Sequence, residues 1–256
     1  MRILAIGDVV GNIGCRFLRQ RLPALKKLKG VDLVIANGEN SADGNGVTPI
    51  SADFLFSSGV DVITTGNHSF RRREIYPYYD DAPYILRPAN FPEKTTPGNG
   101  TLIYDMGRVQ VCVINLMGCV FLENLKDPYE TIDEILKKNT AKITILDFHA
   151  EATAEKLAMG YYLDGRISAM FGTHTHVQTA DEMILGGHTA YITDVGMTGP
   201  ELSVLGVDSD IVINKFKYLT PVRFSESTND CFINGVVVKF DEKSGKATNI
   251  QRVIKR

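Results

Sequence analysis

Short apolar runs alternate with amphipathic stretches along the N-terminal part of the chain. Three runs have the length of buried strands: ILAIGDVV, VDLVIANGEN and VDVITTGNH. The segment CRFLRQRLPALKKL has helical spacing, and Pro23 is expected to kink this helix or to split it in two. A second helix is predicted over TPISADFLFSSG, with Thr48 as N-cap, Pro49 at its first position and Gly59 at its end. Strands interleaved with helices in this way predict a largely parallel sheet that is covered on both faces.

Hairpin patterns join this arrangement in the rest of the chain. GTLIYDMGRVQVCVINLMG is expected to turn at Gly107, EMILGGHTAYITDVG at Gly186-Gly187, and the C-terminal segment near EKSGK. Two further strands (ITILDFHAE, AMFGTHTH) and two further helices (PYETIDEILKKNT, ATAEKLAMGYYLDG) are predicted between them. The fold class is therefore α/β with added antiparallel strands, in one domain over residues 1–256. The added hairpins are expected either to expose edges that pair in a homo-oligomer or to be capped.

Composition narrows the function classes. The formal net charge of −2 offers no basic field for nucleic acid. The four cysteines form no CxxC pair, which favours reduced, buried thiols in a cytoplasmic protein over a zinc knuckle. The apolar run at the N-terminus is too short for a membrane span and lacks a signal-peptide cleavage pattern, so no membrane association is expected.

Polar residues of a few chemical types stand where the predicted strands end. Asp8, Glu39 and Asn67 are 31 and then 28 residues apart, and each interval is about one β-α step. Because strand carboxyl ends line the ligand crevice of an open α/β sheet, these side chains are expected to converge. They are Asp8, Glu39, Asn40, Asn67, His68, His149, His174 and His176.

Metal ions would resolve the cost of burying so many polar groups together. Imidazole and carboxylate ligands suit zinc, manganese and iron, and the number of ligands suggests two ions that share a carboxylate. His174 and His176 would share a face on an ideal strand, whereas in a turn they would reach different ions.

Each motif also has a simpler interpretation. A lone histidine beside a strand is more often structural, and His188 in its GGH turn is assigned that way. GDVVG alone is either a phosphate-binding turn or an ordinary tight turn. No dinucleotide fingerprint and no Walker lysine follows it, which argues against a dehydrogenase or a kinase.

The motifs GD, GNH, a lone later histidine and GTHTH, in this order, resemble the calcineurin-like metallophosphoesterase superfamily. GDVVGNIG, ANGEN, LRPANFP, VINLMG, DFHAEATAEK, YLDGRISAMFGTHTHVQTADE and YITDVGMTGP are similar, more narrowly, to the YmdB-type phosphodiesterases, a bacterial cytoplasmic branch. The resemblance implies mixed sheets layered with helices as a four-layer αββα sandwich. It also implies hydrolysis of 2′,3′-cyclic nucleotides and favours iron or manganese over zinc.

Roles of individual residues follow from the same resemblance. It implies one ion held by Asp8, Glu39, Asn40 and His176, and a second held by Glu39, Asn67, His149 and His174. His68 would be the general acid. Val10 stands where many relatives have a histidine. The usual Asn-His-Thr-Trp-Asp run of the branch is here Asn-His-Ser-Phe-Arg, so that Phe70 and Arg71 replace an indole and a carboxylate.

The mechanism expected on this basis is attack of a metal-bridging hydroxide on phosphorus, while His68 protonates the departing alkoxide. Thr198 and Gly199 are candidate phosphate donors, in a segment (residues 193–210) that forms either a wall or a lid. Alternatives are a broader phosphomonoesterase or nuclease, and a metal-stabilised nucleotide-binding scaffold with weak hydrolysis. Acidic residues near the ligands are candidates to orient them: Asp147, Glu151, Asp181 and Asp194.

Overall fold

A computed structural model describes residues 1–256 of the chain. The strands are β1 (Arg2–Ile6), β2 (Asp8–Val9), β3 (Leu33–Asn37), β4 (Val62–Thr64), β5 (Ile85–Leu86), β6 (Thr101–Asp105), β7 (Gln110–Met117), β8 (Ile143–His149), β9 (Ala169–Thr173), β10 (Met183–Ile184), β11 (Ala190–Ile192), β12 (Met197–Pro200), β13 (Cys231–Phe240) and β14 (Ala247–Lys255). The helices are α1 (Gly11–Lys29), α2 (Pro49–Ser57), α3 (Ile75–Asp81), α4 (Pro128–Lys138), α5 (Thr153–Leu163) and α6 (Ser209–Tyr218).

The strands form two mixed sheets. The first has the order β2-β12-β13-β1-β3-β4-β5, with β14 also paired to β13, and its run β1-β3-β4-β5 is parallel. The second has the order β10-β11-β9-β8-β7-β6, in which the central strands are parallel and both edge strands are antiparallel. Parallel strands with antiparallel additions are what the sequence pattern predicts, and the turns at Gly107 and Gly186-Gly187 are confirmed.

Helices cover the outer faces of the two sheets, and the inner faces pack on each other. Between the sheets, Ile35 of β3 belongs to the same buried cluster as Ile145 of β8. A second cluster packs α1 and α2 on the first sheet, and a third packs α4 and α5 on the second. The expected four-layer αββα sandwich is therefore confirmed.

Pro23 lies inside α1, which runs unbroken from Gly11 to Lys29, so the prediction of a split helix is wrong. Proline frees the carbonyl four residues earlier, and this carbonyl belongs to Arg19. Both residues are on the exposed side of α1, where water can bind the freed oxygen. The opposite side buries Leu18 and Leu22 completely, and this packing stabilises the continuous helix.

The C-terminal hairpin does not supply a free sheet edge at β13. This strand pairs with β12 over one part and lies antiparallel to β1 along the other, with β14 on its remaining side. The segment 193–210 also enters the first sheet, because β12 inserts between β2 and β13. A homo-oligomer stays a prediction. No helix combines the length and the apolar character that a membrane crossing needs.

Thr48 caps α2 as the sequence predicts. Its hydroxyl oxygen accepts a hydrogen bond from the Ser51 backbone at 3.2 Å, and the Ser51 hydroxyl accepts one from the Thr48 backbone at 3.0 Å. We expect Thr48→Ala to lower the free energy of unfolding by about 1 kcal/mol, because a helix N–H loses its partner. Urea unfolding measures this loss. Thr140→Ala, at an exposed position in the loop before β8, is the control, and an equal loss in both variants would contradict the capping role.

Candidate metal centre

The strand-end residues predicted from the sequence meet where the carboxyl ends of both sheets come together. Asp8 follows β1, Glu39 follows β3, and Asn67 follows β4, all in the first sheet. His149 is the last residue of β8, and His174 follows β9, in the second sheet. The crevice therefore lies between two stacked sheets rather than at the edge of one.

Three oxygen and nitrogen atoms surround one ring nitrogen of His149. Its Nε2 lies 2.9 Å from Asn67 Oδ1, 3.0 Å from His174 Nδ1 and 3.3 Å from Glu39 Oε1. One ring nitrogen carries either one proton or one lone pair, so it cannot satisfy three acceptors. Ligand atoms of Glu39, His149 and His174 lie within 4.8 Å of one another. These atoms fit a cation, which accepts several lone pairs at once.

A second group of atoms gathers around Asp8. Its Oδ1 is buried and has no hydrogen-bond partner, and it lies 3.7 Å from His176 Nε2. Asn40 Nδ2 donates to the same nitrogen at 3.2 Å, so the atom of Asn40 that could bind an ion is Oδ1, which accepts from His68. Burial raises the pKa of Asp8, as expected for a carboxylate without a compensating charge. An unpaired buried oxygen beside an imidazole nitrogen fits a second cation.

Glu39 lies between the two groups and is almost completely buried. Its Oε1 faces His149, while its Oε2 accepts a hydrogen bond from the His68 backbone at 3.0 Å. A carboxylate in this place has the two oxygens that a shared ligand needs, as the sequence analysis expected. All seven predicted ligands are thus brought together, and their role as ligands stays a prediction.

His68 stands beside the ligands with its side chain partly exposed. Its Nδ1 donates to Asn40 Oδ1 at 2.7 Å, which leaves Nε2 without a partner in the protein. Burial lowers the pKa of His68, and the nearby Glu39 carboxylate opposes this shift. The ring is therefore fixed at one nitrogen and available at the other.

His149 is oriented by a buried network that includes Asp147. His149 Nδ1 lies 2.9 Å from Thr173 Oγ1, which donates to Asp147 Oδ1 at 2.7 Å. Thr64 and Asn37 donate to the other oxygen of this carboxylate. Burial raises the pKa of Asp147 to about 7 and lowers that of His149 to about 4. A neutral imidazole with its Nδ1 proton engaged presents an Nε2 lone pair to the cluster.

The turn His174-Thr175-His176 places the two histidines in different groups. Both have positive φ angles, 102° and 63°, so the turn alternative is correct and the ideal strand is not. Thr175 donates from its backbone (3.1 Å) and its hydroxyl (2.7 Å) to Asp194 Oδ2. Lys156 Nζ lies 2.7 Å from the same oxygen, and both members of this ion pair are buried. The pair fixes the residue between the two histidines.

The other two acidic candidates differ in position. Glu151 Oε2 lies 2.9 Å from His174 Nε2, so this carboxylate orients a predicted ligand. Asp181 instead accepts from Thr193 and does not reach the cluster.

Four supporting residues escape the sequence analysis: Asn37, Lys156, Thr173 and Leu205. The carbonyl of Leu205 accepts from His176 Nδ1 at 3.0 Å, so the segment 193–210 forms a wall. Lys156 had a detectable signal, because it falls on the buried face of α5 with Met159 and Leu163. Leu205 had none, because an exposed loop residue acts here through its backbone alone.

Thr198 and Gly199 are not brought to the cluster as free donors, contrary to the expectation. Both are buried in β12, where Thr198 pairs with Val9 while Met197 pairs with Asp8. Side chains alternate along a strand, so the Thr198 hydroxyl lies on the face opposite the Asp8 side chain. The phosphate-binding alternative for GDVVG fails as well, because the Glu226 carboxylate covers the first turn of α1, 1.9 Å from where a Cβ on Gly11 would lie.

Phe70 and Arg71, two of the residues after His68 that depart from the branch pattern, face different surroundings. The Phe70 ring packs against Tyr79 and Phe91 at centroid distances of 5.4 and 5.3 Å. Arg71 is exposed, and its charge contributes to the lowered pKa of His68. An aromatic packing site is retained, whereas the charge beside the cluster has changed sign.

Comparisons with known proteins show the family and the fold of the chain. A family described as "YmdB-like protein" matches residues 4–253. The chain is 48% identical to the 2′,3′-cyclic-nucleotide 2′-phosphodiesterase of Bacillus subtilis, over 99% of this chain and 97% of that protein. Crystal structures of a hypothetical protein from Thermus thermophilus (36% identity) and of a novel phosphatase from Mycoplasma pneumoniae (31%) each superpose with a TM-score of 0.94. They cover 99% of this chain and 98% and 92% of their own chains, respectively.

Protein purified without chelator is expected to contain about two metal equivalents, because the ligand atoms form two groups around one shared carboxylate. Asp8→Ala and His149→Ala should each reduce this content. Elemental analysis measures it, and wild-type metal content in both variants would contradict the site.

Thr175→Val is expected to weaken Mn²⁺ affinity by about 10–100-fold, because the turn that carries both histidines loses a hydrogen bond to Asp194. Thr175→Ser keeps the hydroxyl and is the matched control, for which we expect nearly wild-type affinity. Competition with a fluorescent chelator measures both. Equal affinity of the Val and Ser variants would mean that the hydroxyl does not position the turn.

Proposed function

Because the chain belongs to the YmdB-like protein family, we propose that it is a metal-dependent phosphodiesterase that hydrolyses 2′,3′-cyclic nucleotides. The observation that carries this proposal is the double group of buried ligand atoms around Glu39, with a partly exposed His68 beside it. The substrate class is supported by the activity for which the Bacillus subtilis relative is named.

The proposed ligands are nitrogen and oxygen atoms only. Asp8, Asn40 and His176 would hold one ion, and Asn67, His149 and His174 the other, with Glu39 shared between the two. Such ligands accept iron, manganese or zinc, and we favour iron or manganese on the resemblance to the family. When bound, two ions of this kind lower the pKa of water toward neutrality and neutralise charge on phosphoryl oxygens.

His68 is the group that we propose as general acid. Its Nδ1 is committed to Asn40 Oδ1, so the proton for the leaving alkoxide would be held on Nε2, the nitrogen without a protein partner. The lowered pKa makes the protonated ring a stronger acid than an ordinary imidazole. A sugar alkoxide is a poor leaving group, so proton transfer at this atom contributes to the rate.

Buried groups keep the proposed ligands unprotonated and in place. Burial lowers the pKa of both His149 and His174 to about 4, so both rings are neutral at pH 7. Asp147 holds the Nδ1 side of His149 through Thr173, and Glu151 holds the Nε2 side of His174. The free-energy cost of ordering these side chains is met during folding, so they are in place before any substrate binds.

The substrate class can be tested with a panel. We expect the Mn²⁺- or Fe²⁺-loaded protein to hydrolyse 2′,3′-cyclic AMP faster than 3′,5′-cyclic AMP, a phosphomonoester or RNA. Initial rates measured with each substrate decide between the candidate activities. Rapid monoester hydrolysis without diester hydrolysis would replace the proposal by a phosphatase. Tight nucleotide binding with negligible turnover would replace it by a scaffold.

The acid is tested by His68→Asn, which should reduce kcat by about 10²–10⁴-fold while metal content stays near that of the wild type. The matched control is His188→Asn, because His188 is exposed in a distant turn and its φ of 74° is one that Asn tolerates. Steady-state kinetics and elemental analysis are measured on the same samples. Unchanged turnover in the first variant would rule out His68 as the acid.

A further inference from the structure

A second cavity has a lining that does not include the proposed metal ligands. Its volume is about 620 Å³, and it opens between the segment 87–101 and helix α4. Its lining includes Arg87, Phe91, Thr101, Lys126 and Lys138, and none of the seven proposed ligands. The segment belongs to the LRPANFP motif, of which only Phe91 has so far been given a role, in packing against Phe70.

Arg87 is the feature that distinguishes this cavity. The residue is only 3% exposed, yet no carboxylate oxygen lies within 4 Å of its guanidinium. Its Nη1 donates to the Pro88 carbonyl at 2.9 Å and its Nε to the Pro97 carbonyl at 3.3 Å. Five N–H groups are present and two have partners, so Nη2 has no acceptor in the protein.

Burial of this cation without a paired anion has a cost. Desolvation lowers the pKa of Arg87, and the only nearby carboxylate that opposes this effect, Glu93, is exposed. A buried charge is stable only when paired or well hydrogen-bonded. Arg87 Nη2 is not among the buried atoms without a partner, so it is accessible from solvent, and an anionic ligand in the cavity could pair with it.

The remaining charges of the lining leave the cavity positive. Lys126 is paired with Glu134 at 2.6 Å, so these two cancel. Lys138 has no salt-bridge partner and lies in the last turn of α4. The lining has three cationic and two anionic side chains when Glu93 is included, so its net charge is +1.

The wall that carries Arg87 is rigidly built. Asn90 is completely buried, and its side chain donates to the Met117 carbonyl at 2.8 Å and to the Lys126 carbonyl at 3.2 Å. It also accepts from the Met117 backbone at 3.0 Å. These bonds fix the segment against β7, so the cavity is preformed rather than dependent on ligand.

From these observations we propose that the cavity between residues 87–101 and α4 binds the phosphate group of a small ligand. A guanidinium presents a planar fork that matches phosphate oxygens, and a lysine adds a point charge. The volume exceeds what inorganic phosphate fills and accommodates a ligand of nucleoside monophosphate size, with Phe91 as an apolar wall. Free phosphate and a nucleoside monophosphate share the recognised group, and the experiment separates them.

The test measures phosphate binding by calorimetry on the full-length protein, first with its metal and then after removal of metal by EDTA and desalting. The metal centre is expected to bind phosphate only when loaded, whereas binding in the cavity should persist after chelation. Lys138→Glu should weaken the persistent binding at least about fivefold, because it reverses a charge beside the anion. Lys137→Glu is the matched control, since Lys137 is its exposed neighbour in the same turn but does not line the cavity.

Adenosine monophosphate serves as the second probe. Tighter binding of this probe than of phosphate identifies a nucleotide as the ligand, and equal binding identifies free phosphate. Arg87→Gln should abolish the persistent binding, and if that variant fails to fold, the two lysine variants still decide. Loss of all phosphate binding on chelation, or equal binding by both lysine variants, overturns the proposal.

Discussion

The candidate metal centre depends on lone pairs that lie too close together for protons to satisfy all of them. Around His149 Nε2, two ligand atoms and a carboxylate oxygen approach within 3.3 Å, and Asp8 Oδ1 is buried without any partner. Hydrogen bonds cannot compensate all of these groups, and His149 and Asp8 are completely buried. The fold holds them together because they stand on the ends of strands whose positions are set by two large apolar cores. A site that is unfavourable by itself is therefore stabilised by packing elsewhere.

Two of the seven non-glycine residues with positive φ lie in the same place. His174 and His176 adopt positive φ angles that cost non-glycine residues about 1–3 kcal/mol each. The buried Lys156–Asp194 ion pair binds Thr175, which lies between the two histidines, and these contacts offset part of the cost. The offset requires Lys156, Asp194 and Thr175 all to be present. Removal of one member would leave an unpaired buried charge. A rigid turn is the result, and it separates two imidazoles that are neighbours in sequence.

Sequence reasoning reaches the ligand positions because the β-α period places Asp8, Glu39 and Asn67 at consecutive strand ends, and periodicity alone carries that information. Periodicity does not show that the strands divide into two stacked sheets, and only the family resemblance implies this layering. It also does not show that β13, far along the chain, lies beside β1, or that Thr198 belongs to a strand within the same sheet. The contact between the Leu205 carbonyl and His176 cannot be predicted from residue type, because it is made by the backbone. Contacts between distant segments decide these features, and local pattern does not encode them.

Phe70 and Arg71, which depart from the branch pattern after His68, affect recognition of substrate rather than the set of proposed ligands. Phe70 occupies an aromatic cluster with Tyr79 and Phe91, so the backbone that presents Asn67 and His68 keeps its packing support. Arg71 is exposed, and its cation acts both on the neighbouring His68 and on charges that approach the rim. A carboxylate there would repel a phosphodiester, whereas a guanidinium attracts one. The substitution therefore reverses the charge that substrate meets at the rim and leaves the buried set of proposed ligands unchanged. At such a rim a family can vary specificity without losing its reaction.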